Sequence, residues 1–201
     1  MTIRPLNDLI AALRRRTPVT GRTRVLAVDG PSGSGKTSLA ARLANAADRT
    51  GTPIPVVHLD DIYPGWDGLA DAPGLLVDGV LRPLRDRGPA AYHRWDWERG
   101  EWAERHDVPA TDALIVEGVG SGALACAPFL TMLAWVDAPR DVRMARGIDR
   151  DGETYRPHWE RWAVQEVAMF AADGTRERAD LRIDGDPSEP HSRDREVVLI
   201  D

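Results

Sequence analysis

The run Gly30-Pro-Ser-Gly-Ser-Gly35-Lys36-Thr37 constrains this chain more than any other stretch. It satisfies G-x-x-x-x-G-K-[ST], a pattern that is informative only where a strand leads in and a helix leads out. Val25 to Val28 is a short apolar run of the kind that forms a buried strand. Leu39, Leu43, Ala44 and Ala47 recur at helical spacing, with no Pro or Gly from Ser38 to Thr50. In that setting glycines let the backbone wrap an anion, successive amides point inward, and the helix N-terminus adds positive potential. Gly30, Ser32, Gly33, Ser34, Gly35, Lys36, Thr37 and Ser38 are therefore expected to cradle a triphosphate. Lys36 would reach the β- and γ-phosphates and the Thr37 hydroxyl would hold Mg²⁺. Lys36 is also the single lysine among 26 basic residues, the rest being arginine. A compact ammonium has been kept where the pattern needs one.

Length and charge narrow the remaining classes. The 201 residues suit one domain with a substantial core. A net charge of -6 argues against nonspecific nucleic-acid binding, which calls for a basic surface. Cys126 is the only cysteine, so neither a disulfide framework nor a thiolate zinc site is expected, and its small apolar setting predicts a buried, inert thiol. The five histidines show no zinc-ligand spacing. No apolar run is long enough to span a membrane. Arg4, Asp8 and Arg14 to Arg16 interrupt the first segment in a way unlike a secretory leader, so a cytoplasmic protein without membrane or nucleic-acid partners is expected. Association into a homo-oligomer is left open.

Leu6, Leu9, Ile10 and Leu13 predict an amphipathic helix within residues 1–20, its arginines serving as cations at a helix C-terminus. Ile54 to Leu59 reads as a second strand that delivers Asp60-Asp61-Ile62-Tyr63 at its carboxyl end, where ligands bind open parallel sheets. Leu75 to Arg87 reads as helix with a break at Pro83. Tyr92, His93, Trp95, Trp97, Trp102 and His106 alternate with charges, an extended two-sided segment suited equally to stacking a flat substrate or to forming a rigid flap. Ala113 to Glu117 is a buried strand ending in a carboxylate, followed by the permissive loop Gly118 to Gly122. Met132 to Val136 is a fourth strand, and Leu181 to Ile183 and Val197 to Ile200 are late ones. Arg143, Arg146 and Arg150 fall on one face of an intervening helix. That face could simply be solvated and paired with Asp149 and Glu153. The alternation of strand and helix predicts a parallel sheet covered on both sides.

Taken together, the phosphate loop, Leu59-Asp60-Asp61-Ile62-Tyr63, Ile115-Val-Glu117-Gly118, Asp141-Val-Arg143-Met-Ala-Arg146-Gly-Ile-Asp-Arg150-Asp151 and Ala179-Asp-Leu-Arg-Ile-Asp184 resemble the P-loop small-molecule kinases, the uridine kinase, phosphoribulokinase and pantothenate kinase group. The resemblance implies an α/β P-loop NTPase fold, a three-layer sandwich around a parallel five-stranded sheet. It also implies one domain over 1–201, with residues 140–173 forming a small lid from the arginine helix and the helix after it. By the same resemblance ATP and Mg²⁺ are the cofactors and the partner is a small molecule bearing a hydroxyl. Asp60 would accept the hydroxyl proton, Glu117 would support Mg²⁺ with Thr37, and Arg146 and Arg150 would close on the phosphates. Asp60, Tyr63, Asp67, Trp95, Asp96 and Arg143 would meet the acceptor. A nucleoside is the first candidate, and a sugar acid or a pantothenate-like alcohol the second. The family histidine four residues after the position of Asp96 falls on Gly100 and its nearby arginine on Trp102, which also fits a nonenzymatic ATP-binding regulator. A GTPase switch is excluded, because neither Asn7 nor Asn45 precedes a lysine.

Overall fold

The computed structural model describes residues 1–152 and 156–200. Strand β1 (Thr2–Pro5) leads into α1 (Leu6–Arg15), then β2 (Arg24–Asp29), α2 (Lys36–Arg49) and β3 (Val56–His58). A helical stretch follows: α3 (Ala72–Leu76), a π-helical turn (Val77–Leu81) and α4 (Arg82–Arg85). Next come β4 (Ala90–Asp96), β5 (Glu101–Val108), β6 (Ala113–Glu117), β7 (Met132–Asp137), α5 (Arg140–Asp151), α6 (Arg156–Asp173), α7 (Thr175–Arg178), β8 (Leu181–Asp184) and β9 (Glu196–Leu199). The π turn accounts for the break expected at Pro83. Proline lacks the N–H of a regular helix and its ring crowds the preceding turn, so the helix widens just before it.

The main sheet has seven strands in the order β1-β9-β8-β7-β2-β6-β3. The pairs from β8 to β3 are parallel, which gives the five parallel strands expected. The sheet carries two more, since β9 joins β8 antiparallel and β1 joins β9 antiparallel. Strand β1 escaped sequence reading because all four of its residues are exposed and show no apolar alternation. It is an edge strand held by pairing alone. The aromatic segment forms a separate two-stranded hairpin, β4 against β5, with a register shift between His93 and Trp95.

Alternation along the central strands builds both covering layers. Val25 and Ala27 of β2, with Leu114 and Val116 of β6, face a core made with the Ala72–Arg85 helical stretch and Trp162. Leu26, Val28, Ala113 and Ile115 face the opposite way, against α1 and α2. On α1 the predicted stripe Leu6, Leu9, Ile10 and Leu13 is buried, each side chain contributing about 2 kcal/mol. No side chain caps α1; its first amide donates to Arg195 O at 2.7 Å, so the turn before β9 supplies the cap. The arginines at its other end tie down the backbone, Arg14 at Thr52 O and Arg16 at Thr131 O.

Candidate active site

The phosphate loop leaves β2 at the centre of the sheet and enters α2 at Lys36. Two of its glycines are required by neighbours as well as by backbone angle. A Cβ on Gly30 (φ 140°) would lie 2.0 Å from Val136 O on β7, and one on Gly33 (φ 77°) would lie 2.2 Å from Arg143 O on α5. The loop is thus wedged between β7 and α5. No side chain caps α2 at Gly35, which leaves the orphan amides of its first turn available to an anion. Lys36 is 8% exposed, and its ammonium donates to Pro31 O at 3.0 Å.

Beneath the loop lies Asp29, fully buried at the end of β2. Its carboxylate accepts the amides of Gly30 (2.7 Å), Gly120 (3.1 Å) and Gly122 (2.8 Å), pinning the base of the phosphate loop to the loop after β6. Burial outweighs those three amides and the Lys36 charge, pushing its pKa up to about 6.

Glu117, at the end of β6, is 2% exposed. The Thr37 hydroxyl lies 3.2 Å from each of its carboxylate oxygens, and His58 Nδ1 lies 2.6 Å from Oε1. The hydrogen bond to Glu117 raises the His58 pKa against the effect of partial burial. Parallel pairing sets this triad, because His58 is the residue of β3 that stands directly beside Glu117. A hydroxyl and a buried carboxylate side by side are hard oxygen donors, a pair that fits Mg²⁺ completed by phosphate oxygens and water.

Asp60 follows β3 in a short 3₁₀ turn. It shares one cleft of about 160 Å³ with Ser32, Gly33, Gly35, Lys36, Thr37, Ser38, Glu117, Val119, Arg146, Gly147 and Arg150. The neighbouring Asp61 turns away and accepts the Tyr92 phenol at 3.3 Å. Arg150 of α5 faces Asp60 across the cleft at 3.8 Å. Arg146 donates to Gly185 O at 3.0 Å and to Asp186 at 2.5 Å, which anchors α5 to the loop after β8. Glu153, expected as an arginine partner, lies outside the described residues. A larger hollow of about 400 Å³ beside Leu69, Pro73, Ala123 and Met169 contains none of the phosphate-loop residues. The residues expected from the sequence converge on the smaller cleft.

The residues expected at the acceptor are brought together less completely. Tyr63 is fully buried and donates to Val119 O at 3.0 Å, with a phenol pKa raised by burial. Arg143 is turned to the phosphate loop, donating to Ala138 O at 3.0 Å and Ser32 O at 3.3 Å. Asp96 caps the hairpin turn by accepting the amides of Glu98 and Arg99, and Asp67 is ion-paired with Arg161 of α6. Trp95 packs edge-on against Trp102, with ring centroids 5.1 Å apart. Trp66 stacks face to face on His158 of α6 at 4.3 Å, and Trp97 donates its indole N–H to Asp60 O at 2.9 Å. The hairpin therefore buttresses the Asp60 turn. Of these six, Asp60 alone lines the phosphate cleft.

Sequence reading did not find Asp29, His58, Trp162 or Glu166 as site residues. Asp29 carried a usable signal, a carboxylate between an apolar strand and the first glycine of the loop. His58, Trp162 and Glu166 carried none, because only strand order and helix packing bring them to the loop.

No protein-family model matches the sequence, and no curated protein matches it. Solved structures do match in fold. A possible uridine kinase from Bacillus stearothermophilus superposes with a TM-score of 0.64 at 20% identity, over 88% of this chain and 96% of that one. A candidate fructose transport system kinase from Silicibacter sp. TM1040 gives 0.54 at 21% identity, over 85% and 88%. The YGR205w protein gives 0.52 at 14% identity, over 90% of each chain. With the seven-stranded sheet and the phosphate loop at its centre, the fold is that of the uridine kinase-like P-loop proteins.

Proposed function

We propose that this chain is an ATP- and Mg²⁺-dependent kinase that transfers the γ-phosphoryl group to a hydroxyl of a small molecule. The observation that carries the reading is the single cleft in which Lys36, Thr37, Glu117, Asp60 and Arg150 converge. The kinase descriptions of two of the solved structures agree with it. Lys36 and the loop amides hold the triphosphate, and Arg150 offsets charge on the transferring group. Asp60 orients the acceptor hydroxyl and takes its proton as the new P–O bond forms and the bond to the β-phosphate oxygen breaks, releasing ADP. Thr37 and Glu117 would hold Mg²⁺, which would supply positive charge to the phosphate oxygens.

A nucleoside is the first acceptor to test. A second acceptor class is favoured by a specific observation: Asp67 and Asp96, two carboxylates that the family resemblance places at the acceptor, are already engaged by Arg161 and by the hairpin turn. That supports a sugar acid or another small alcohol. The test is ADP release from Mg²⁺-ATP against a panel of nucleosides, sugar acids and pantothenate. Lys36→Ala should lower turnover by about a hundredfold or more. Unchanged turnover in that variant would overturn the assignment. ATP binding with no stimulation by any acceptor would instead favour a nonenzymatic regulator.

A further inference from the structure

Ser32 sits in the phosphate loop, yet side chains from two later helices hold each of its hydrogen-bonding groups. Glu166 Oε1 of α6 accepts its amide at 2.8 Å, Trp162 Nε1 of α6 donates to its hydroxyl at 3.0 Å, and Arg143 of α5 donates to its carbonyl at 3.3 Å. Glu166 is 3% exposed and Trp162 5% exposed, so each bond has one end buried, where a missing partner is costly, and the other on half-buried Ser32. A carboxylate is also an unexpected neighbour for a loop built to receive a polyanion. Its charge opposes the ligand at close range unless its position serves something else. What it does is fix the loop: the Ser32 amide is taken up by the protein itself.

The same helix holds the other bank of the cleft. Gln165 donates to Trp66 O at 2.8 Å, Arg161 pairs with Asp67, and the His158 ring stacks on Trp66. Trp162 in turn meets Tyr63 edge-on at 4.9 Å, directly below the Asp60 turn. Residues 158–166 thus reach from the acceptor-side loop to the third position of the phosphate loop within about two turns of helix.

The geometry points to α6 as the strut that sets the shape of the phosphate loop, with Glu166 and Trp162 as positioning residues for the nucleotide. Neither residue belongs to the phosphate-loop pattern. Both act through Ser32, by restricting the loop to the arrangement in which its remaining amides converge. The inference rests on the kinase reading only in requiring that a nucleotide occupies this loop.

The test is titration calorimetry of Mg²⁺-ADP on the full chain. Glu166→Ala should bind about tenfold more weakly, and Glu166→Gln, which keeps an acceptor oxygen for the Ser32 amide, should recover most of that loss. If Glu166→Ala fails to fold, Trp162→Phe and Ser32→Ala decide the matter, because they delete the two halves of one hydrogen bond, Ser32→Ala with the packing kept and Trp162→Phe with an aromatic ring still against Tyr63. Each should weaken binding about threefold, and the double variant should be no weaker than either single one. A purely packing role would give additive losses and no rescue by glutamine, and either result would overturn the inference. Lys36→Ala separates the two readings. If the wild-type chain binds no Mg²⁺-ADP, the kinase reading fails. If binding is lost in Lys36→Ala but untouched in Glu166→Ala and Trp162→Phe, only the role of α6 fails.

Discussion

The two banks of the cleft are built on different physical terms. The donor bank is buried and committed: Lys36, Glu117 and Asp29 are nearly or wholly out of water, and the loop glycines are pressed against β7 and α5. In the proposed kinase its charges would meet a triphosphate, a ligand whose shape never varies. The acceptor bank is half-exposed, and its polar groups answer one another. Asp67 pairs with Arg161, Asp61 with Tyr92, and Asp96 with backbone amides of its own turn. A site for an invariant ligand can afford fixed, desolvated groups, whereas a site that differs between relatives is assembled from surface pairs that are easily exchanged.

The sharpest way to break this contrast is at Asp60, the residue where the banks meet. Asp60→Asn should lower phosphoryl transfer by about a hundredfold or more while Mg²⁺-ADP affinity stays within about threefold. If Asp61→Asn has that effect instead, the acceptor bank begins one residue later and the observed cleft is not the reacting one.

The next effect lies in the buried donor bank and is read as stability. Asp29 keeps its proton in the folded chain up to about pH 6, against 3.8 when unfolded. Its contribution is therefore fully present below 3.8 and is lost as pH rises through about 6, a fall on the order of 3 kcal/mol from a shift of about 2 pH units. Denaturant unfolding between pH 4 and 7 should show that decline in the wild-type chain and a flatter profile in Asp29→Asn. Identical slopes would mean that the donor bank stores no such desolvation cost.

Smaller again is the effect at His58, which touches Glu117 but does not itself line the cleft. Outer partners of metal ligands typically matter by about tenfold, so His58→Leu should raise by roughly that factor the Mg²⁺ needed for half-maximal nucleotide binding. Equal Mg²⁺ dependence in the two proteins would leave Glu117 positioned by its strand alone. Smallest is the exposed Asp67–Arg161 pair. Breaking it with Arg161→Ala should cost less than about 1 kcal/mol of stability. If the KM for an acceptor then changes more than tenfold, Asp67 is a binding carboxylate after all and the acceptor bank is better organised than its surface pairing suggests.

The same contrast explains what could be read before the fold was known. Gly30 to Thr37 work through the backbone they occupy, so a short pattern contains most of their chemistry. Glu117 and Asp60 were legible because parallel strands deliver their last residues to one edge. Arg146 and Arg150 were legible because one helix face carries them both. Ser32 meets Glu166 across 134 residues, and His58 meets Glu117 across 59, by packing that no local spacing encodes. The hairpin strands were half-visible, since alternation of aromatic and charged residues announces an extended segment but does not name its partner. Strand β1 had no signal of its own. Its place comes entirely from β9.

That last pairing has a temporal consequence. Thr2 to Pro5 lie against Leu199 to Glu196, and the first amide of α1 is satisfied by Arg195. As the chain emerges from the ribosome, β1 has to wait until β9 has been made, with the apolar stripe of α1 lacking its final clamp meanwhile. Closure of the sheet is then a late, long-range event, of the kind that slows folding and lengthens exposure to aggregation. The parallel strands around the phosphate loop can assemble earlier, so a chain stalled short of β9 would hold that loop in place before β1 was paired.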